Sequence, residues 1–143
     1  MIQFYGKKKD EIMFDLKEIK EAHAKVKTGA DFPRFVQELI KLGVKKYDNY
    51  VKDGHTVFFG VDNFKLQSEP KYVPLTIANI SDKERFAHFL KSHQRGQTDY
   101  ATFCNNAANT GVEKWTVDMQ QMTCIYYNKS NHIMLEESIP TPA

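Results

Sequence analysis

Apolar residues recur every three or four positions in four stretches of the chain, and this spacing is typical of amphipathic helices. The predicted helices lie at about 10–27, between Asp31 and Gly43, at about 82–95, and between Asp99 and Gly111. Asp31 and Asp99 stand at N-cap positions, where a carboxylate accepts free backbone amides. Ser81 and Glu84 form a capping-box pattern ahead of the third helix.

After each pair of helices, apolar and polar residues alternate in short runs, as they do in half-buried β-strands. The predicted strands lie near residues 47–51, 57–59 and 64–68, and again near 115–119, 124–127 and 133–137. Amphipathic helices and a half-apolar sheet each bury one face by packing against each other. We therefore predict a single α+β domain over residues 1–143, in which an antiparallel sheet is packed with helices on one side.

The two halves of this pattern are similar in sequence. Residues 31–60 align without a gap with residues 99–128, at an offset of 68. Identical pairs are Asp31/Asp99, Phe35/Phe103, Gly43/Gly111, Val44/Val112 and Lys46/Lys114, and similar pairs include Tyr47/Trp115, Phe58/Tyr126 and Phe59/Tyr127. We predict an internal duplication of a helix–helix–β-meander unit, with repeats at approximately 10–69 and 81–137.

The overall charge of the chain is nearly balanced. Its 143 residues, the size of one domain, carry a net charge of +2, which is too balanced to indicate nucleic acid or an anionic membrane as a partner. No apolar run reaches the roughly 20 residues of a membrane span. The N-terminal residues also lack the apolar core of a signal peptide. We therefore expect a cytoplasmic protein without a membrane partner.

The cysteine usage of the chain predicts no special chemistry. The cysteines are Cys104 and Cys124, and their spacing matches neither a zinc motif nor a disulfide framework. Free thiols in a reducing compartment are the expectation. We predict no metal site and no cofactor.

The most distinctive motif runs through the second half. It reads His93-Gln94-x-Gly96-x-Thr98-Asp99-Tyr100-x-x-Phe103-Cys104, then Ala107-Ala108-x-x-Gly111-Val112-Glu113-Lys114-Trp115. With Asp31-Phe32-Pro33 and Leu42-Gly43-Val44-x-x-Tyr47, it resembles the YbcV-like family of small bacterial proteins of unknown function, some of which are named phage envelope proteins. The resemblance covers most of residues 15–140 and implies a bacterial or prophage setting. It implies no activity, and no residue here supports the phage-envelope name.

Two histidines occupy corresponding places in the halves. His23 and His93 lie on the apolar faces of the first and third predicted helices. A symmetric pair of this kind can bind a metal ion or relay a proton. No third ligand follows at a suitable spacing, so we expect each ring to pack in the core and to hydrogen-bond a carbonyl.

Polar residues concentrate where the third and fourth predicted helices meet. The fourth helix presents free amides there, which can bind a ligand, although a capping Asp99 would occupy them. Together with the nearby rings, the candidate ligand-binding residues are His93, Gln94, Asp99, Trp115 and Tyr126.

Cys104 with His93 as its base matches the thiolate–imidazole pair of cysteine enzymes. A small hydrolase or transferase, using His93 with Cys104 or Asp99, is therefore the alternative function. Cys104 aligns with Val36 in the first half, and this apolar counterpart favours a buried and inert thiol. We assign no catalytic residue.

Aromatic residues are prominent in the predicted sheet. In regular strands Phe58 and Tyr126 point to the opposite side from Phe59 and Tyr127. Helices cover one side of a two-layer fold, so the other side is expected to bind a partner, of which a second copy is the simplest. The preferred function is a non-enzymatic binding or protein-interaction module with an unknown protein or small-molecule partner. Stacking of nucleic-acid bases on the rings is a weaker alternative.

Overall fold

The computed structural model describes residues 14–27 and 29–142. These residues contain four α-helices: α1 (Leu16–His23), α2 (Phe32–Leu42), α3 (Lys83–Gln94) and α4 (Tyr100–Asn109). Short 3₁₀ turns cover Gly29–Asp31, ahead of α2, and Val61–Asn63, between two strands. No helix within the described ranges has the length and apolar character to cross a bilayer.

The described strands form one antiparallel sheet. They are β1 (Lys46–Tyr50), β2 (Thr56–Phe59), β3 (Lys65–Gln67), β4 (Lys114–Asp118), β5 (Thr123–Tyr127) and β6 (Ile133–Ser138). Their order is β3-β2-β1-β4-β5-β6, so each half contributes a three-stranded meander and the meanders join through β1 and β4. The predicted α+β class with an antiparallel sheet is confirmed.

One side of the sheet, the helix face, forms the core with the helices. Its buried side chains include Tyr47, Phe58, Trp115, Val117, Cys124 and Tyr126. Phe103 of α4 lies 5.7 Å from the Trp115 ring, and Phe86 of α3 lies 4.9 Å from the Tyr126 ring. Rings at these distances bury large apolar areas and stabilise the packing of helix on sheet.

The other side of the sheet is the open face. Directly paired residues share a side, so this face includes Lys46, Asp48, Tyr50, Val57, Phe59, Lys65, Lys114, Thr116, Asp118, Ile125, Tyr127, Ile133 and Glu136. Phe59 and Tyr127 are half-buried, whereas Phe58 and Tyr126 are buried on the helix face. The predicted opposite orientation of these neighbouring rings is confirmed.

The helices and strands of the first half recur in the same order in the second half, at the sequence offset of 68 residues. β1 and β4 begin at Lys46 and Lys114, which are 68 residues apart. Residues with positive φ recur at the same offset: Gly43 with Gly111, Gly54 with Met122, and Asn63 with Asn131. Asp48 pairs across the two central strands with Thr116, its own counterpart in the alignment. The duplication itself stays a prediction.

The first helix is shorter than the one predicted at about 10–27. α1 begins at Leu16 because Asp15 and Glu18 form a reciprocal capping box. Asp15 Oδ1 accepts from Glu18 N at 2.8 Å, and Glu18 Oε1 accepts from Asp15 N at 3.1 Å. Residues 10–13, which the prediction included, lie outside the described residues.

The cap of α3 is one residue later than predicted. Asp82, not Ser81, is the N-cap, and its carboxylate accepts from Arg85 N at 3.1 Å. The Ser81 hydroxyl instead accepts from Asn128 Nδ2 at 3.0 Å, which ties the start of α3 to the end of β5. The predicted Ser81 cap is therefore wrong.

The two aspartates predicted as equivalent caps behave differently. Asp99 Oδ1 accepts from Thr102 N at 2.8 Å and caps α4 as predicted. Asp31 makes no side-chain cap bond to α2, and its carboxylate accepts from Lys27 N at 2.8 Å. Asp31 is the N-cap of α2 as predicted, but its carboxylate does not bond to the helix, because a 3₁₀ turn holds its backbone in a helical conformation, at φ −87° and ψ −11°.

Candidate functional site

The His93 ring lies near the end of α3, and its contacts are those of a structural histidine. It stacks on the Phe103 ring, with 4.5 Å between centroids and 13° between planes. Its Nδ1 lies 3.1 Å from the backbone oxygen of Thr98 and 3.2 Å from the Thr98 hydroxyl. The expectation that this ring packs against the core and hydrogen-bonds a carbonyl is confirmed.

Gln94 and Asp99 also have partners within the fold. Gln94 Nε2 donates to the Glu137 carboxylate on β6, at 3.0 and 3.2 Å from its two oxygens. Hydrogen bonds from Thr102 hold the pKa of Asp99 below its ordinary value, and the nearby His93 adds to this shift. An ionised Asp99 opposes the binding of an anion at the N-terminus of α4.

Trp115 and Tyr126 are core residues. They are 9% and 6% exposed, and their ring centroids lie 5.7 Å apart on the helix face. Burial raises the pKa of the Tyr126 hydroxyl well above its ordinary value. Trp115 and Tyr126 thus pack in the core, and a ligand-binding role for the five residues stays a prediction.

Cys104 is sealed inside the core, at 1% exposure on α4. Burial raises the pKa of its thiol, although hydrogen bonds with Tyr72 and Tyr100 partly oppose this shift. Among the described contacts, His93 hydrogen-bonds with neither Cys104 nor Asp99. The geometry required of a thiolate–imidazole pair is thus not present in this structure.

His23 departs from its prediction. α1 ends at this residue, and the side chain is exposed, with 5.3 Å between the centroids of its ring and the Phe35 ring. Partial burial lowers the pKa of His23, and Lys71 lowers it further. The prediction that the ring packs inside the core is wrong. No cluster of three potential ligands that could hold a metal ion lies within the described ranges.

The centre of the open face holds a buried polar pair. Thr116 Oγ1 donates to Asp48 Oδ1 at 2.6 Å across β1 and β4, and Asp48 is only 8% exposed. At the other edge of β1, where this strand pairs with β2, Thr56 Oγ1 donates to Asn49 Oδ1 at 2.9 Å. These bonds link β1 to both of its neighbours, so the two halves meet in a fixed register.

Two equivalent lysine–ring contacts flank this central pair on the open face. Lys46 Nζ lies 5.1 Å from the Phe59 centroid, and Lys114 Nζ lies 5.4 Å from the Tyr127 centroid. Both the lysines and the rings are separated by the offset of 68. Lys114 also lies 5.8 Å from the Tyr50 ring. Cations over aromatic rings give a surface that binds both apolar and polar groups.

A groove of about 530 Å³ opens beside the first of these contacts. Its lining includes Lys46, Phe59, Asp62, Asn63, Asp118 and Gln120. A smaller depression of about 170 Å³ lies between α1 and α2. The larger groove has the volume of a small-molecule site, since such sites span roughly 300–1,000 Å³.

Sequence reasoning did not identify the open-face polar residues as a site. The identity of Lys46 and Lys114 in the aligned halves was the available signal, together with the aromatic pair Phe59 and Tyr127. Asp118 carried no such signal, because its aligned residue is Tyr50. Only the strand register brings Asp118 opposite Lys46.

Comparison with known proteins identifies a family whose function is unknown. The model of a family described as a protein of unknown function, DUF1398, matches residues 20–138 of the chain. The search of curated proteins found no match to the chain.

Proposed function

This chain belongs to DUF1398, a family of proteins of unknown function, and we propose that it is a non-enzymatic binding module that self-associates through the open face of its sheet. The observation that carries the proposal is the pair of equivalent lysine–ring contacts on that face. Each half contributes one of these contacts to the face.

One apolar cluster of the open face lies on β5 and β6. Its residues are Ile125, Tyr127 and Ile133, here called the dimer patch. Ile133 is 47% exposed, and the other two are half-buried. Burying such side chains against a second copy would add roughly 25 cal/mol for each Å² of apolar surface removed from water.

The charges of the open face favour a second copy over a nucleic acid. The strands place three lysines there, Lys46, Lys65 and Lys114, and three carboxylates, Asp48, Asp118 and Glu136. A surface with no net charge does not repel its own copy, and a two-fold arrangement can set Lys114 of one copy near Glu136 of the other. A surface built for a phosphate backbone would instead be clearly basic.

Sedimentation equilibrium over a range of protein concentrations tests this proposal. We expect a monomer–dimer equilibrium for the unchanged chain, and at least about a tenfold larger dissociation constant for Ile133→Lys, because a charge must then be desolvated in the interface. Ile80→Lys is the matched control, since Ile80 is 81% exposed and lies in the segment ahead of α3. A monomer at millimolar concentration, or equal weakening by both variants, would refute self-association.

A further inference from the structure

The two halves differ in the residue opposite the open-face lysine, and this difference leaves a gap in the first half. In the second half Lys114 lies between two rings, Tyr127 and Tyr50, at 5.4 and 5.8 Å from their centroids. In the first half Lys46 has the corresponding ring of Phe59 on one side. The position that corresponds to Tyr50 is Asp118, whose side chain carries no ring.

The register confirms that these positions are equivalent in space as well as in sequence. Tyr50 pairs directly with Lys114 across β1 and β4, and Asp118 pairs directly with Lys46 across the same strands. The groove of about 530 Å³ includes Lys46, Phe59 and Asp118 in its lining. The groove therefore opens where the other half holds a tyrosine ring.

We propose that this groove binds a small, neutral, planar heteroaromatic molecule of about nucleoside size, whose ring lies over Lys46 as the Tyr50 ring lies near Lys114. The second half supplies the model for the occupied state, because there a lysine contacts two rings at once. A cation between two ring faces is stabilised by the quadrupoles of both.

The polar groups of the groove favour a ring with an N–H donor and no net charge. Asp118 Oδ1 already accepts from Gln120 N at 2.8 Å and Gln121 N at 3.0 Å. No described residue donates to Asp118 Oδ2, so this oxygen can accept from a ring or exocyclic N–H. The lining carries two lysines, Lys45 and Lys46, and two aspartates, Asp62 and Asp118. These charges balance, which favours a nucleoside over a nucleotide.

The groove lies apart from the dimer patch along the strands. Lys46, Phe59 and Asp118 share one cross-strand row, and Lys114, Tyr127 and Ile133 share a different one. None of the dimer patch residues lines the groove. Repeating the ligand experiment in the Ile133→Lys variant separates the two proposals.

The test is a titration of the ¹⁵N-labelled chain with adenosine, cytidine, L-tyrosine amide and, as the non-aromatic control, ribose. We expect adenosine or cytidine to shift the backbone amides of Lys46, Phe59, Asn63 and Gln120 in a saturable manner, and ribose to leave them unchanged. L-tyrosine amide carries a positive charge at neutral pH, so it should bind more weakly than the neutral nucleosides.

Matched variants make the result specific to the groove. Phe59→Leu should weaken nucleoside binding at least about tenfold, because it removes the ring below Lys46. Tyr127→Leu makes the equivalent change in the other half and should leave nucleoside binding unchanged, even though Tyr127 belongs to the dimer patch and its loss weakens self-association. Asp118→Tyr should abolish binding by filling the gap, and the dispersion of the ¹⁵N spectrum reports that each variant is folded. The proposal is overturned if no nucleoside shifts these amides at millimolar concentration, or if Tyr127→Leu weakens binding as much as Phe59→Leu.

Discussion

Gly43 and Gly111 follow the second helix of each half with left-handed backbone, at φ 102° and 94°. Their surroundings differ. A Cβ on Gly43 would lie 4.0 Å from Phe14 Cδ2, whereas a Cβ on Gly111 would lie 2.8 Å from the Ile80 carbonyl oxygen and 3.0 Å from Ser81 Cα. The connecting segment thus packs against the end of α4, and among the described residues no approach this close is made to Gly43.

We therefore expect Gly111→Ala to destabilise the protein more than Gly43→Ala. Both variants suffer the left-handed backbone cost of about 1–2 kcal/mol. Gly111→Ala also forces backbone to move, which costs about a further 1–3 kcal/mol. Urea unfolding followed by far-UV circular dichroism measures the difference, and equal losses of stability would contradict the packing described at Ile80.

The buried thiol of Cys124 predicts a loss of stability at alkaline pH. Burial raises its pKa from 9.0 to about 12. The folded chain therefore keeps the proton that the unfolded chain releases, so this contribution is complete below pH 9.0 and declines as the pH rises toward 12. The slope from one thiol approaches about 1.4 kcal/mol per pH unit.

Cys124→Val removes this titration and should flatten the decline. The free energy of unfolding in urea, measured at about pH 8 and about pH 10.5, provides the comparison. Burial also raises the pKa of tyrosines such as Tyr47. Their ionisation should therefore cause part of the loss of stability at high pH in both proteins. Identical slopes for the two proteins would show that Cys124 ionises freely in the folded state.

At the scale of a single element, the start of α3 depends on one side chain. Asp82 accepts from Arg85 N, whereas Ser81 accepts from Asn128 outside the helix. We expect Asp82→Ala to cost about 0.5–2 kcal/mol of stability, mostly as lost helix capping. Ser81→Ala should leave the helix start intact and loosen the Asn128 contact instead. Amide exchange of the first turn of α3 distinguishes the two, and faster exchange in Ser81→Ala alone would reverse the assignment.

The strands were more predictable from sequence than the helix starts. Alternation in two similar segments indicated β1 and β4, and their positions agree closely with the structure. Caps depend on the backbone angles of one residue, which periodicity does not report. Asp15 therefore fell within a longer predicted helix, and Ser81 took the place of Asp82.

The candidate site was the least predictable part. The rings of Trp115 and Tyr126 drew attention because of their size, but those rings fill the core. The groove depends on the pairing of Lys46 with Asp118, which are far apart in the chain. Such a contact is set by strand register, and a single sequence does not report register between distant strands.

At the scale of the whole molecule, two meanders share one sheet, and their shared open face is the basis of the proposed function. The same arrangement makes the face nearly two-fold symmetric about Asp48 and Thr116. A symmetric surface with balanced charge suits an isologous contact with a second copy. The asymmetry at Asp118 then gives each chain one small-molecule groove beside that contact.

The most direct measurement of self-association through the open face is an isotope-filtered NOE experiment on a mixture of labelled and unlabelled chains. Contacts between copies are predicted from the methyl groups of Ile125 and Ile133. Intermolecular NOEs from the helical layer alone, or none at a concentration where the chain sediments as a dimer, would contradict the proposal.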